Sequence, residues 1–192
     1  MVFDGINDTQ TVADNGLLDL SNITISFWSK FKTVGGLSNL VGRGGGGNSP
    51  WKIRTAGTSI YFQGSTGSGY ATSPSFVVGQ DVIANDTTWY KLDFSYSDLD
   101  RGRTYINGLE KGTGNQPVGK LILNRDDPLD LAYSNADNSY MGITLDEIRI
   151  SSVVRTLSWL ITEYNNQNDR SGFFTINSNE TILATPISTE KP

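Results

Sequence analysis

Single alternation of apolar and polar residues runs through much of the first 150 positions. In "LLDLSNITISFWSKFK" (17–32), Ile23, Ile25 and Phe27 alternate with Thr24, Ser26 and Trp28, the period of a half-buried strand. In "WYKLDFSYS" (89–97), Tyr90, Leu92, Phe94 and Tyr96 alternate with Trp89, Lys91, Asp93 and Ser95. Shorter strand signals fall at "MVFDGIND", "LVGRGGGGNSPWKIRT" (40–55), "SIYFQG" (59–64), "GKLILN" (119–124), "LDLAYS" (129–134) and "GITLDEIRI" (142–150). "RTYINGLEKG" (103–112) carries Asn107-Gly108, a two-residue hairpin signal because both positions tolerate positive φ. Turn signals every 8–12 residues between short strands predict an all-β sandwich. One segment breaks the pattern. "TLSWLITEYNNQ" (156–167) spaces Leu157, Leu160, Ile161 and Tyr164 as a helix does, with Thr156 as N-cap and Asn165-Asn166 as a stop. Residues 1–176 are expected to form one domain. Residues 177–192 are expected to be an extended linker or tail, with a last strand at "TILAT" as the alternative.

Composition agrees with that picture. The 192 residues fit one domain with a true core. Gly numbers 21, charged residues are 18%, and four Trp, eight Tyr and eight Phe supply core material. The net charge of −5 argues against nucleic acid, which selects clustered Lys and Arg, and against an anionic membrane surface. No apolar run reaches the ~18 residues of a membrane span. The chain opens directly on strand-like residues, which points to a piece of a larger multidomain protein.

Absences limit the chemistry. Without Cys there is no disulfide framework, thiol nucleophile or thiolate metal site. Without His there is no Ser-His-Asp triad, and oxygen donors remain for metal binding, which suits a hard cation. "GRGGGGNSP" (42–50) lacks the Lys-Ser/Thr and following helix of a phosphate loop and reads as a hairpin loop.

The order "FDGIND", "LDLSNITISFWSK", "NLVGRG", "TTWYKLDFSYS", "RTYINGLEKG" and "LDEIRISSVVRTLSWLITEYNNQ" resembles a laminin-G-like domain of the concanavalin A-like lectin/glucanase superfamily over about residues 2–175. The likeness is nearest to bacterial and archaeal surface-protein modules. It implies an antiparallel jelly-roll of two sheets with adjacent terminal strands. It also implies an extracellular or cell-surface location.

Two site expectations follow. Counting straight alternation from Thr144 puts Asp146 on one face with Ile148 and Ile150, and Glu147 with Arg149 on the other. A buried carboxylate needs a partner or a proton. The superfamily often builds a structural calcium from the opening segment and the final strand, so the resemblance implies Ca2+ held by Asp146, the Gly5 carbonyl and Asp4. The alternative is that Asp146 caps backbone amides of a neighbouring turn without metal. Asp126, Asp127 and Asp130 form a second acidic cluster, readable as a calcium loop or as an Asp-Pro turn.

For ligands, the superfamily's β-glucanases carry an E-x-D-x-x-E run, and retaining hydrolysis needs carboxyl groups ~5–5.5 Å apart. None of the chain's Glu residues (110, 147, 163, 180 and 190) forms that run, so no catalytic residue is expected. Sugars are recognised by aromatic faces flanked by polar side chains. The candidate contacts are Arg43, Trp51, Tyr70, Asn138 and Tyr140, with Tyr133, Asn135 and Asp137 nearby. Trp28 and Trp89, within strand patterns, are expected in the core. The expected function is a non-catalytic carbohydrate-binding, lectin-like module. The alternative is a cell-surface or virion adhesion module that binds protein.

Overall fold

A computed structural model describes residues 1–33, 36–44, 49–66, 70–72, 76–77, 81–99, 102–113, 121 and 126–169. Its strands are β1 (Val2–Asp4), β2 (Gln10–Val12), β3 (Ile23–Phe31), β4 (Asn39–Arg43), β5 (Trp51–Ala56), β6 (Ser59–Ser65), β7 (Tyr70–Thr72), β8 (Phe76–Val77), β9 (Tyr90–Tyr96), β10 (Arg103–Ile106), β11 (Leu109–Thr113), β12 (Leu129–Leu131), β13 (Tyr133–Ser134), β14 (Ser139–Tyr140) and β15 (Gly142–Ser151). The helix α1 follows at Leu157–Asn168. The six-stranded sheet runs β1-β15-β3-β9-β10-β11, and the seven-stranded sheet runs β2-β12-β4-β5-β6-β7 with β8 beside β6. Strands β13 and β14 form a small separate hairpin.

All pairings are antiparallel, and the first and last strands are neighbours, with Phe3 opposite Ile143. The core lies between the two large sheets. Ile23, Ile25, Phe27 and Phe31 of β3 and Leu92, Phe94 and Tyr96 of β9 meet Val41, Ile53, Ile60 and Phe62 of the other sheet, all essentially without exposure. The rings of Phe62 and Tyr96 stack across the interior at 5.7 Å between centroids. The sequence alternation is therefore the inside–outside alternation of real strands.

Asn107 (φ 52°) and Gly108 (φ 74°) both take the left-handed conformation that joins β10 to β11, as the dipeptide predicts. Thr156 caps α1, its hydroxyl accepting the Trp159 amide at 3.3 Å. The apolar stripe of α1 behaves otherwise than its spacing predicts: Leu160 is buried, but Leu157 and Ile161 are exposed. The face on which α1 rests is the polar outer side of the six-stranded sheet, so polar side chains do most of the docking.

Strand β15 departs most from straight alternation. Asp146 pairs with Trp28 and Arg149 with Ser26, so three steps on β15 match two on β3. Glu147, at φ 51°, is the residue of a β-bulge. Ile143 and Leu145 point inward before it, and Ile148 and Ile150 pack against the core after it. The bulge shifts the phase by one, so Asp146 is not on the core face but is exposed. Strain at Glu147 thus keeps four aliphatic residues on one side. Residues 170–192, including the linker expected at 177–192, lie outside the described residues, as do residues 45–48 of the glycine-rich loop.

Candidate functional site

The outer face of the six-stranded sheet carries the outward positions of β3, β9 and β15. Ser26, Lys91 and Asp93 lie there without solvent exposure, because α1 covers them. The Lys91 ammonium donates to Asp93 at 2.6 Å and to Glu163 of α1 at 2.9 Å. Glu163 also accepts from Arg149 at 2.7 Å, and Arg149 reaches Glu147 at 2.5 Å. Five charges thus form one chain, Asp93–Lys91–Glu163–Arg149–Glu147, which clamps the helix to the sheet. Burial pushes the Asp93 carboxyl above its ordinary value, and the Lys91 charge opposes that shift. The second Asp93 oxygen, Oδ2, has no hydrogen-bond partner.

Farther along α1, the Trp28 indole stacks on Tyr164 at 5.9 Å, and its N–H donates to Gln167 at 2.5 Å. Beside this contact opens a cleft of about 310 Å³ lined by Trp28, Trp89, Asp146, Glu147, Gln167 and Asn168. Trp89 is 40% exposed, and the Lys30 ammonium sits 5.0 Å from its ring centre. The cleft combines an open indole, two carboxylates and two carboxamides. The expectation that Trp89 and Trp28 lie in the core is corrected here. A signal in the sequence points the same way: Trp89 shares parity with Lys91, Asp93 and Ser95, and Trp28 with Thr24 and Ser26, so both face outward.

The expected glycan contacts do not converge. Arg43 is fully buried, donating to Asp14 and Asp19 at 2.6 Å each and to the Asp127 carbonyl at 3.2 Å. Trp51 is also fully buried, its N–H 3.4 Å from the Leu18 carbonyl. Neither can meet a ligand at the surface. Asn138 and Tyr140 do come together: the Tyr140 ring meets that of Tyr133 at a tilt of 32°, 4.8 Å between centroids, and the Tyr133 hydroxyl donates to Asn138 at 3.3 Å. The Tyr70 side chain lies outside the described residues, although its backbone forms β7.

The calcium donors Asp4, Gly5 and Asp146 are not assembled either. Asp4 lies opposite Gly142, whereas Asp146 lies opposite Trp28, four residues farther along β15, or about 13 Å. The Asp4 carboxylate caps its own turn, accepting the Ile6 amide at 2.7 Å and the Asn7 amide at 3.3 Å. The Ile6 amide first, with help from neighbouring amides, draws the Asp4 pKa below its ordinary value. Asp146 accepts the amide of the next residue, Glu147, at 2.9 Å. In the second cluster, Asp130 is buried and accepts the Thr11 hydroxyl at 2.7 Å. Among the described residues no three acidic side chains converge as a metal cage requires.

Two antiparallel sheets packed face to face, with one short helix strapped over the outer face, define a jelly-roll sandwich. The chain belongs to the concanavalin A-like lectin/glucanases superfamily, through a laminin-G-type family model that matches residues 4–160. Among curated proteins no relative matches. Solved structures share the fold at low identity. The botulinum neurotoxin serotype G binding domain superposes with a TM-score of 0.68 at 14% identity, over 88% of this chain and 42% of that one. The binding domain of Paraclostridial Mosquitocidal Protein 1 gives 0.68 at 17% identity, over 86% and 42%. The receptor binding domain of a botulinum neurotoxin C/D mosaic serotype gives 0.67 at 14% identity, over 86% and 42%. The chain therefore spans about two fifths of the length of those domains. No helix among the described residues is long and apolar enough to cross a membrane.

Proposed function

We propose that this domain is a non-catalytic carbohydrate-binding module of an extracellular or cell-surface protein, and that its glycan seat is the Trp89 cleft. The observation that carries this is the open indole of Trp89 beside Asp146, Gln167 and Asn168. The apolar C–H face of a pyranose stacks on an indole, carboxylates accept from sugar hydroxyls, and carboxamides both donate and accept. About 310 Å³ sits at the low end of small-ligand clefts, enough for a short saccharide rather than a buried cofactor. The neighbouring toxin structures are binding domains by name, which supports a binding role.

The non-catalytic part rests on the carboxylates. Asp93 and Glu163 share one ammonium and so stand close, but Asp93 has no exposed surface and lines neither the Trp89 cleft nor the cleft beside Trp159. In the Trp89 cleft, Asp146 and Glu147 are consecutive on a bulge, and Glu147 is tied to Arg149. Because Asp4 and Asp146 stand apart, the proposed binding is independent of Ca2+.

An array of uncharged glycans probed with wild-type protein and with Trp89→Ala, each in calcium and in EDTA, tests the reading. Saturable binding that survives EDTA and disappears in Trp89→Ala, with an unchanged melting temperature, is expected. An array silent for wild type, or binding indifferent to Trp89, overturns the proposal and leaves the protein-adhesion alternative.

A further inference from the structure

A second cleft, of about 410 Å³, opens toward the N-terminal end of α1 and is lined by Thr24, Ser26, Ser151, Arg149, Arg155 and Trp159. We propose that it is an oxyanion subsite, in which Arg155 receives the carboxylate or sulfate group of an acidic ligand.

The other described arginines with known partners are committed. Arg43 holds Asp14 and Asp19, Arg149 holds Glu147 and Glu163, and Arg54 faces Asp137 at 3.7 Å. Arg155 donates to no carboxylate or carbonyl among the described residues, and its Nε–H is buried without an acceptor. The guanidinium instead lies 4.5 Å from the centre of the Trp159 ring. Stacking on an indole restricts a guanidinium to a plane and leaves its edge, where the N–H donors are, free to bind. The backbone beneath it is anchored: the Arg155 amide donates to the Thr24 hydroxyl at 2.9 Å, and that hydroxyl donates to the Val153 carbonyl at 2.8 Å.

The surroundings favour a negative ligand. The hydroxyl of Ser151 lines the cleft and can donate. The first turn of α1 holds no acidic side chain, so the partial positive charge of its N-terminus is unopposed there. Glu163 does line the cleft, but its carboxylate is bound by both Lys91 and Arg149. A planar fork with unmet donors matches a carboxylate or sulfate edge in two parallel hydrogen bonds. The ion pair between Glu147 and Arg149 separates this cleft from the Trp89 cleft, so the two sites use different recognition residues.

The test is titration of the intact domain with glucuronate, glucose 6-sulfate and glucose, followed by the indole N–H signal of Trp159. At least one charged sugar is expected to saturate the site about tenfold more tightly than glucose, with affinity falling as salt is added. Arg155→Gln is expected to lose roughly tenfold in affinity, and Arg155→Lys, which keeps charge without the fork, a smaller factor. Response to glucuronate alone assigns a carboxylate subsite, to the sulfate ester alone a sulfate subsite, and to both a general oxyanion site. Equal response to all three sugars, no response, or wild-type affinity in a folded Arg155→Gln overturns the proposal. Trp89→Ala is expected to leave this binding unchanged, so failure here and failure of the glycan cleft are distinguishable.

Discussion

Replacing Lys91 with Met removes the central cation of the clamp that holds α1. Its Nζ is fully buried between Asp93 and Glu163. Glu163 keeps Arg149 as a partner, so the cost falls on Asp93, which is unexposed and already has one oxygen unpaired. Breaking a buried pair from one side costs about 3–5 kcal/mol. A second route gives a ceiling. The stranded Asp93 can take up a proton, which at pH 7, starting from its ordinary value of 3.8, costs about 4 kcal/mol. The expected loss is therefore about 3–4 kcal/mol at pH 7, or roughly 6–16 °C in melting temperature. At pH 5 the same ceiling falls to about 2 kcal/mol. The sign follows from a folded-state pKa raised above the unfolded one. The folded variant binds the extra proton, so its stability deficit grows as pH rises from about 4 toward neutrality. Thermal and urea melts of wild type and variant at pH 5, 6 and 7 measure both quantities. A deficit below about 1 kcal/mol at pH 7, or one that does not shrink by pH 5, would refute the account of the clamp. Adding Asp93→Leu to the variant is expected to recover most of the loss, since no stranded charge remains.

Two other expectations follow from buried chemistry and register. Lys52 is buried on β5, and desolvation, aided by the nearby Arg54 charge, lowers its pKa to about 8. Wild-type stability should therefore rise between pH 8 and 10.5, as the unfolded chain holds a proton the folded one has released. Lys52→Met should flatten that rise and add about 1–3 kcal/mol at pH 7, measured by urea melts across the window. Deleting Glu147 should be tolerated within about 2 kcal/mol, because it removes only the extra residue of the bulge and leaves Ile148 and Ile150 facing inward. Deleting Thr144 moves neighbouring aliphatics to the wrong face and should unfold the domain, and circular dichroism distinguishes the two outcomes.

The phase shift in "ITLDEIRI" is legible in the residues themselves. Ile143 and Leu145 occupy odd positions, Ile148 and Ile150 even ones, and a regular strand cannot bury both sets. Straight counting through the interruption puts Asp146 in the core, and the bulge takes it out. The outward parity of Trp89 and Trp28 is equally legible, but aromatic size argues for the interior and hides the cleft. Arg43 and Trp51 mislead for another reason. Nothing local to Arg43 reveals that Asp14 and Asp19 fold over it, 29 and 24 positions earlier in the chain.

The sequence alone determined the strand periods, the Asn-Gly hairpin and the capped helix, because each depends on residues within a few positions of one another, and it carried the family resemblance through the order of its motifs along the chain. It also excluded His- and Cys-based chemistry, since composition does not depend on folding. Only the tertiary structure decided which carboxylates are paired, which are free, and which aromatics meet solvent. Those outcomes depend on strand register and on where α1 lands, and both bring together residues far apart in the chain, such as Trp28 and Gln167, 139 positions apart.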